Sequence, residues 1–155
     1  MGLDQYAVAR KGEPRKVPQT WTTTDADGNE EEVVEYYNEW DDTIELASWR
    51  KHPNLQGWME NLWIEKGCPN DKGDGFNCVE LQLTKYDLIS LEQALDKQEL
   101  PETSGFFFGG NADDHYAEAD REFIVQAHAA LKQGYTVVYS SWWKNEENAM
   151  GRLRL

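Results

Sequence analysis

Hydrophobic residues recur along this chain with two different periods, and each period predicts one type of element. A spacing of three to four residues, which gives a helix one buried face, runs through residues 54–66, 84–97 and 112–132. A glycine or a proline follows each segment, as expected where a helix ends. The positions predicted to face the core are Leu55, Trp58, Met59, Leu62, Trp63, Leu88, Leu91, Leu95, Tyr116, Ala119, Phe123, Ala127, Ala130 and Leu131. The pattern therefore predicts three helices.

Polar residues at the start of the second and third helices strengthen this prediction. Thr84, with Asp87 three positions later, has the spacing of a capping box, in which side chains satisfy the free backbone amides. Asn111 can cap the third helix, whose first turn carries Asp113 and Asp114. Carboxylates are favourable there because the start of a helix carries a partial positive charge.

Alternation of hydrophobic and polar residues, the second period, predicts strands. Residues 79–83 alternate in this way. Residues 3–9 are also predicted to be a strand, and residues 20–24 and 32–37 are predicted to be two strands on either side of a turn. Residues 25–29 read Asp-Ala-Asp-Gly-Asn and predict a hairpin turn, because Asp-Gly tolerates positive φ angles. Residues 103–110 indicate a short aromatic strand or turn, and residues 135–143 are hydrophobic on both faces, which is typical of a central strand. The predicted fold is a single α+β domain over residues 1–155, with about three helices on a mixed or mainly antiparallel sheet.

Length and composition agree with one folded domain. The chain has 155 residues, of which 39% are hydrophobic and 12% aromatic, and a chain of this size buries about 70% of its unfolded surface. No apolar run approaches the ~20 residues that span a bilayer, and the first residues lack the order of a secretory signal. We expect a protein that is neither secreted nor in a membrane.

Cys68 and Cys78 are predicted to be free thiols, and neither a metal nor a cofactor is expected.

The negative charge is concentrated in one segment. The net charge is −14, and residues 25–45 contain ten acidic residues and no lysine or arginine. This balance argues against direct binding of nucleic acid, which requires a basic surface. Aromatic side chains lie among these carboxylates, a combination typical of a surface where Tyr and Trp are anchors and carboxylates attract a basic partner. A solvated charged surface is the other interpretation.

The acidic hairpin, at about residues 20–45, is therefore predicted to bind a host or viral macromolecule, favouring a basic or nucleic-acid-binding protein. The residues predicted to contact this partner are Glu31, Glu35, Tyr36, Tyr37, Glu39, Trp40, Asp41 and Asp42.

A second candidate site combines aromatic, cationic and amide side chains. Its members are Trp49, Arg50, Lys51, His52 and Asn54, with Phe107 and His115 from later segments. Together they predict a site for a small anionic or nucleotide-like ligand, or for an enzyme substrate. The alternative interpretation places the aromatic residues in the core and the two bases in solvent. The chain has no nucleophile elbow and no phosphate-binding glycine motif, so no catalytic residue is assigned and a non-enzymatic protein is favoured.

Four short motifs, in order along most of the chain, carry a resemblance to a known group. They are MGLDQY at residues 1–6, Trp49-Arg50-Lys51 followed by residues 54–58, Ser104-Gly105-Phe106-Phe107-Phe108-Gly109, and Ser140-Ser141-Trp142. With them the chain resembles a family of small bacteriophage proteins of unknown function. The resemblance implies a phage or prophage source and hence the cytoplasm of an infected host cell. It also keeps a minor virion component open as a third functional class.

Overall fold

Six strands and three helices are present in residues 2–73, 75–101 and 113–143, the part of the chain that the computed structural model describes. For residues 113–115 the description covers the backbone alone. The elements in chain order are β1 (Leu3–Lys11), β2 (Arg15–Thr24), β3 (Glu30–Glu39), β4 (Asp42–Arg50), α1 (Pro53–Glu65), β5 (Leu81–Leu83), α2 (Lys85–Asp96), α3 (Asp113–Lys132) and β6 (Thr136–Trp143). The predicted α+β class is confirmed, and the strand pairs are antiparallel.

Four of the strands form the main sheet, in the order β4-β1-β6-β5. β6 lies between two strands, so its hydrophobic character on both faces correctly predicted a central position. One face of β1 is fully buried through Leu3, Gln5, Ala7 and Ala9. β4 had no counterpart among the predicted elements. It is an edge strand whose first residues are exposed, so its sequence does not alternate between buried and exposed positions.

The three helices share a hydrophobic core with this sheet. Leu55 and Met59 of α1, Leu88 of α2 and Phe123 of α3 are all buried in one cluster with Tyr139 of β6. The capping box of α2 is confirmed, because the Thr84 backbone N donates to Asp87 Oδ2 at 2.8 Å and the Asp87 backbone N donates to Thr84 Oγ1 at 3.3 Å. No helix among the described residues is long and apolar enough to cross a membrane.

The buried face of α3 is as predicted except at one position. Ala119 is exposed, and the neighbouring Asp120 is buried. A polar residue therefore occupies a core position that the pattern had given to a hydrophobic one. The predicted aromatic segment at residues 103–110, with Phe107, and the proposed cap Asn111 lie outside the described residues.

The remaining two strands, β2 and β3, pair with each other in a separate two-stranded sheet. We call β2, its turn at residues 25–29 and β3 the ribbon, and we call the main sheet with the three helices the body. The turn forms as predicted: Asp25 Oδ1 accepts hydrogen bonds from the backbone N of Asp27 and of Asn29, each at 2.9 Å. These bonds lower the pKa of Asp25, since they stabilise its charged form.

The chain enters the ribbon at a sharp bend after β1. Gly12 has a φ of 92°, in the left-handed region that disfavours other residues, and a Cβ at this position would collide with the carboxylate of Asp41. Arg15 then forms an ion pair with Asp41, on the other side of the bend. This ion pair joins the two chain segments where the chain enters and leaves the ribbon, a region that we call the root.

Candidate functional site

The two faces of the ribbon differ in their side chains. Successive residues of a strand point to opposite faces, and the register pairs Val17 with Tyr37 and Trp21 with Val33. These four residues therefore lie on one face, which we call the Val-aromatic face. The opposite face carries Lys16, Pro18, Thr20, Thr22, Thr24, Glu30, Glu32, Val34, Tyr36 and Asn38.

The Val-aromatic face is exposed to solvent. Trp21 is 38% and Tyr37 47% exposed, and Val17 and Val33 are half-buried. Directly paired positions are the closest side-chain neighbours in an antiparallel pair, so the two valines are shielded by Tyr37 and Trp21. β2 and β3 make their main contacts with each other. Within the described residues, the face has no covering layer of helix or sheet.

Three carboxylates share this face, since Glu31, Glu35 and Glu39 alternate with the apolar residues of β3. Glu39 lies 3.9 Å from Arg15. Glu35 accepts a hydrogen bond from the Tyr37 hydroxyl at 3.0 Å, and this bond raises the pKa of Tyr37 because it stabilises the neutral phenol. Among the described residues, no lysine or arginine forms an ion pair with Glu31 or Glu35. Two negative charges at the rim of an apolar strip are thus available to a partner.

The predicted partner-binding residues divide between the two faces and the root. Tyr37 belongs to the four-residue strip, and Glu31, Glu35 and Glu39 share the Val-aromatic face with it. Tyr36, 63% exposed, lies on the opposite face. Trp40, Asp41 and Asp42 lie at the root. Asp41 pairs with Arg15, and Asp42 accepts a hydrogen bond from the hydroxyl of Tyr135. The sequence did not indicate that Val17, Trp21 and Val33 belong to the same surface, because pairing register cannot be read from one strand.

The root of the ribbon has its own polar cluster. The Arg10 guanidinium lies 4.0 Å from the centroid of the Trp40 ring and forms an ion pair with Glu80. These side chains, with Asn70 and Glu13, line a cleft of about 350 Å³. Trp40 is half-buried here, so it contributes to attachment of the ribbon to the body more than to its exposed faces.

The second predicted site is divided between core and solvent. Trp49, His52 and Asn54 are buried, whereas Arg50 and Lys51 are exposed, and Arg50 Nε lies 3.9 Å from Asp4 Oδ1. These groups therefore do not converge on a common cavity. Phe107 and the side chain of His115, the other two predicted members, lie outside the described residues.

Trp49 and His52 instead both contact Asp120 of α3. Trp49 Nε1 donates to Asp120 Oδ1 at 2.9 Å, and His52 Nε2 lies 2.8 Å from Asp120 Oδ2. The His52 ring also stacks on Tyr116, with centroids 4.8 Å apart. The sequence contained one indication of this cluster, a charged residue within the hydrophobic stripe of α3. Because a buried carboxylate requires partners, Asp120 implies a polar network in the core.

That network continues through four more residues. Gln5 joins the backbone of His52 to Tyr139: its Nε2 donates to the carbonyl of His52 at 3.1 Å and to the Tyr139 hydroxyl at 2.9 Å. The Tyr139 hydroxyl donates to Gln56 Oε1 at 2.6 Å, and Gln56 Nε2 donates to Ser141 Oγ at 2.9 Å. Burial raises the pKa of Tyr139. This network connects β1, β6, α1 and α3, and its buried position makes it a structural element.

No group of three or more His, Cys, Asp or Glu side chains in the described residues is arranged to hold a metal ion. Cys68 and Cys78 are not joined by a disulfide. Comparison of this chain with protein-family models, with curated proteins and with solved structures found no match. The candidate functional surface therefore rests on the geometry of the ribbon.

Proposed function

We propose that this chain is a non-enzymatic bacteriophage accessory protein that binds a basic host or viral protein through the Val-aromatic face of its ribbon. The observation that carries the proposal is the exposed strip of Val17, Trp21, Val33 and Tyr37, bordered by carboxylates and uncovered by other described residues. The phage source rests on the sequence resemblance.

A two-stranded ribbon without a packed layer is marginally stable in water. Here each strand has ten residues, which corresponds to a length of about 33 Å. A partner that covers the Val-aromatic face would supply the missing layer. Trp and Tyr are frequent binding anchors because they bury a large area with little loss of conformational entropy.

The carboxylates on the Val-aromatic face indicate that the partner is basic. Glu31 and Glu35 lie beside the apolar strip, and the segment of residues 25–45 contains no lysine or arginine. Carboxylates at the rim of an interface attract a basic partner and set its orientation, while the buried aromatic residues provide most of the affinity. A basic protein surface with an apolar centre fits both features.

A charge-reversal pair tests which face is used. The tagged chain captures partners from a bacterial host lysate at low and moderate salt, and the Kd of the purified partner is then measured by calorimetry. The double variant E31K/E35K, on the Val-aromatic face, is expected to weaken binding about tenfold or more. The matched control is E30K/E32K, which makes the same change in net charge on the opposite face. Equal losses from the two double variants would contradict the proposal.

An aromatic pair tests the anchor in the same way. Trp21→Ala removes an exposed ring from the Val-aromatic face and is expected to weaken binding about thirtyfold, the effect of a typical interface anchor. Tyr36→Ala removes a ring from the opposite face and should leave the Kd within about twofold. If Tyr36→Ala has the larger effect, the partner occupies the other face.

A further inference from the structure

A cleft of about 420 Å³ lies where the start of α2 and the end of α3 meet strands β5 and β6. This volume is within the range of about 300–1,000 Å³ that is typical of small-molecule sites. Leu83 and Leu131 provide apolar surface. Lys85, His128 and Lys132 also line the cleft, and no carboxylate of the described residues does. The cleft is therefore basic, although the chain has a net charge of −14.

The basic residues of this cleft are not paired with other described residues. Within the described part of the chain, the side chains of Lys85, His128 and Lys132 form neither a hydrogen bond nor an ion pair. Other basic side chains do pair with carboxylates, as in Arg121 with Asp96 and Lys66 with Asp87. Lys66 is the one lysine of the described residues that forms an ion pair, so the lack of a pair at Lys85 and Lys132 is ordinary by itself, and the relevant observation is that both line one cleft with His128.

The two lysines of the cleft lie at opposite kinds of helix end, the start of α2 and the last turn of α3. Lys132 lies in the last turn of α3, where a cation is favoured by the helix dipole, so its presence alone is ordinary. Lys85 is the first residue of α2, where the dipole disfavours a cation. Asp87 lies in the same turn, but its carboxylate caps Thr84 and pairs with Lys66, so it forms no ion pair with Lys85. An anion in the cleft would relieve the unfavourable position of Lys85.

Tyr135 forms one wall and adds no negative charge. Its hydroxyl donates to Asp42, and this hydrogen bond raises the pKa of Tyr135, so the phenol is neutral at physiological pH. The Lys11 ammonium lies 4.9 Å from the centroid of the Tyr135 ring. A third ammonium group, in addition to those of Lys85 and Lys132, therefore lies against this wall.

We propose that the cleft binds an organic phosphate monoester, with Lys85 and Lys132 holding the phosphate and Leu83 and Leu131 contacting an apolar body. A phosphate monoester carries about −1.5 to −2 charges at neutral pH, which matches two ammonium groups better than a single carboxylate does. His128 donates a ring N–H to the phosphate oxygens. This site is on the body and is independent of the ribbon surface.

The test uses the full chain and three small probes: phenyl phosphate, inorganic phosphate and benzoate. Binding is followed by calorimetry and by chemical-shift changes at the lining residues. Phenyl phosphate is expected to bind saturably and more tightly than the other two, because it alone has both a dianionic head and an apolar body. Lys85→Gln and Lys132→Gln should each weaken it about tenfold, the usual effect of one charge-assisted hydrogen bond.

The matched control is Lys97→Gln, an exposed lysine beyond the other end of α2, which should leave the Kd unchanged. A loss from Lys97→Gln equal to that from Lys85→Gln would show diffuse attraction and overturn the site. Absence of saturable binding, or equal affinity for benzoate, would also overturn it. The variant E31K/E35K should bind phenyl phosphate normally, so failure of this site and failure of the ribbon proposal are separate results.

Discussion

The body and the ribbon of this protein are stabilised in different ways. In the body, hydrophobic side chains from the sheet and the three helices are buried together. The buried polar side chains of Asp120, Gln5 and Gln56 form hydrogen bonds with other side chains of the body. In the ribbon, only Val17 and Val33 of the strand residues are even half-buried. The side chains of the body therefore contribute to its packed core, whereas most side chains of the ribbon remain exposed to solvent.

This difference predicts that changes in the two regions have unequal effects on stability. The body depends on buried side chains that cannot be removed singly without leaving a cavity or a polar group without a partner. The ribbon depends on its turn and its backbone ladder, and most of its side chains face water. Three measurements sharpen the comparison.

The largest effect is expected from Asp120→Ala in the body. This change removes the acceptor of Trp49 Nε1 and the partner of His52 Nε2 while both remain buried. Loss of one member of a buried polar pair typically lowers the free energy of unfolding by about 3–5 kcal/mol. Urea denaturation followed by circular dichroism measures it. Glu118→Ala, an exposed position on the same helix, should change stability by less than about 0.5 kcal/mol. A small effect of Asp120→Ala would mean that the network is not a source of stability.

A smaller, pH-dependent effect is expected from Tyr139. Its pKa is raised above the ordinary value of 10.0 by burial, so ionisation in alkali favours the unfolded chain. Its contribution to stability is complete below pH 10 and is lost as the pH rises further, by about 1.4 kcal/mol per pH unit. Urea midpoints of the wild type and Tyr139→Phe between pH 9 and pH 11 measure it. The wild type should show the steeper decline, and parallel curves would contradict the buried position of the hydroxyl.

The smallest effect is expected from removing the ribbon. Arg15 and Glu39 face each other across its root, so an Asn-Gly turn can replace residues 16–38 and retain the ion pair of Arg15 with Asp41. The free energy of unfolding of the body should change by less than about 1 kcal/mol, since the main effect is a shorter loop. The same variant should lose the basic partner. A body that no longer folds would show that the ribbon is part of the folding unit.

Local sequence predicted the elements that depend on interactions between residues close together in the chain. The period of the hydrophobic residues located all three helices, Thr84 with Asp87 located the start of α2, and Asp-Gly located the ribbon turn. Strand β4 was not predicted because an edge strand that is largely exposed lacks alternation. Asp120 was not predicted to be buried because its partners, Trp49 and His52, are 71 and 68 residues away in the chain.

For the candidate surfaces, the sequence determined which residues were available and the tertiary structure decided which of them meet. The acidic and aromatic character of residues 25–45 follows from composition alone. Pairing register decided that Glu31, Glu35 and Tyr37 share a face with Val17, Trp21 and Val33, while Tyr36 points away. Helix packing decided that Lys85 and Lys132 line one cleft. Hydrophobic period and turn chemistry act over a few residues, whereas register and packing join residues distant in the chain, and only the folded structure brings them together.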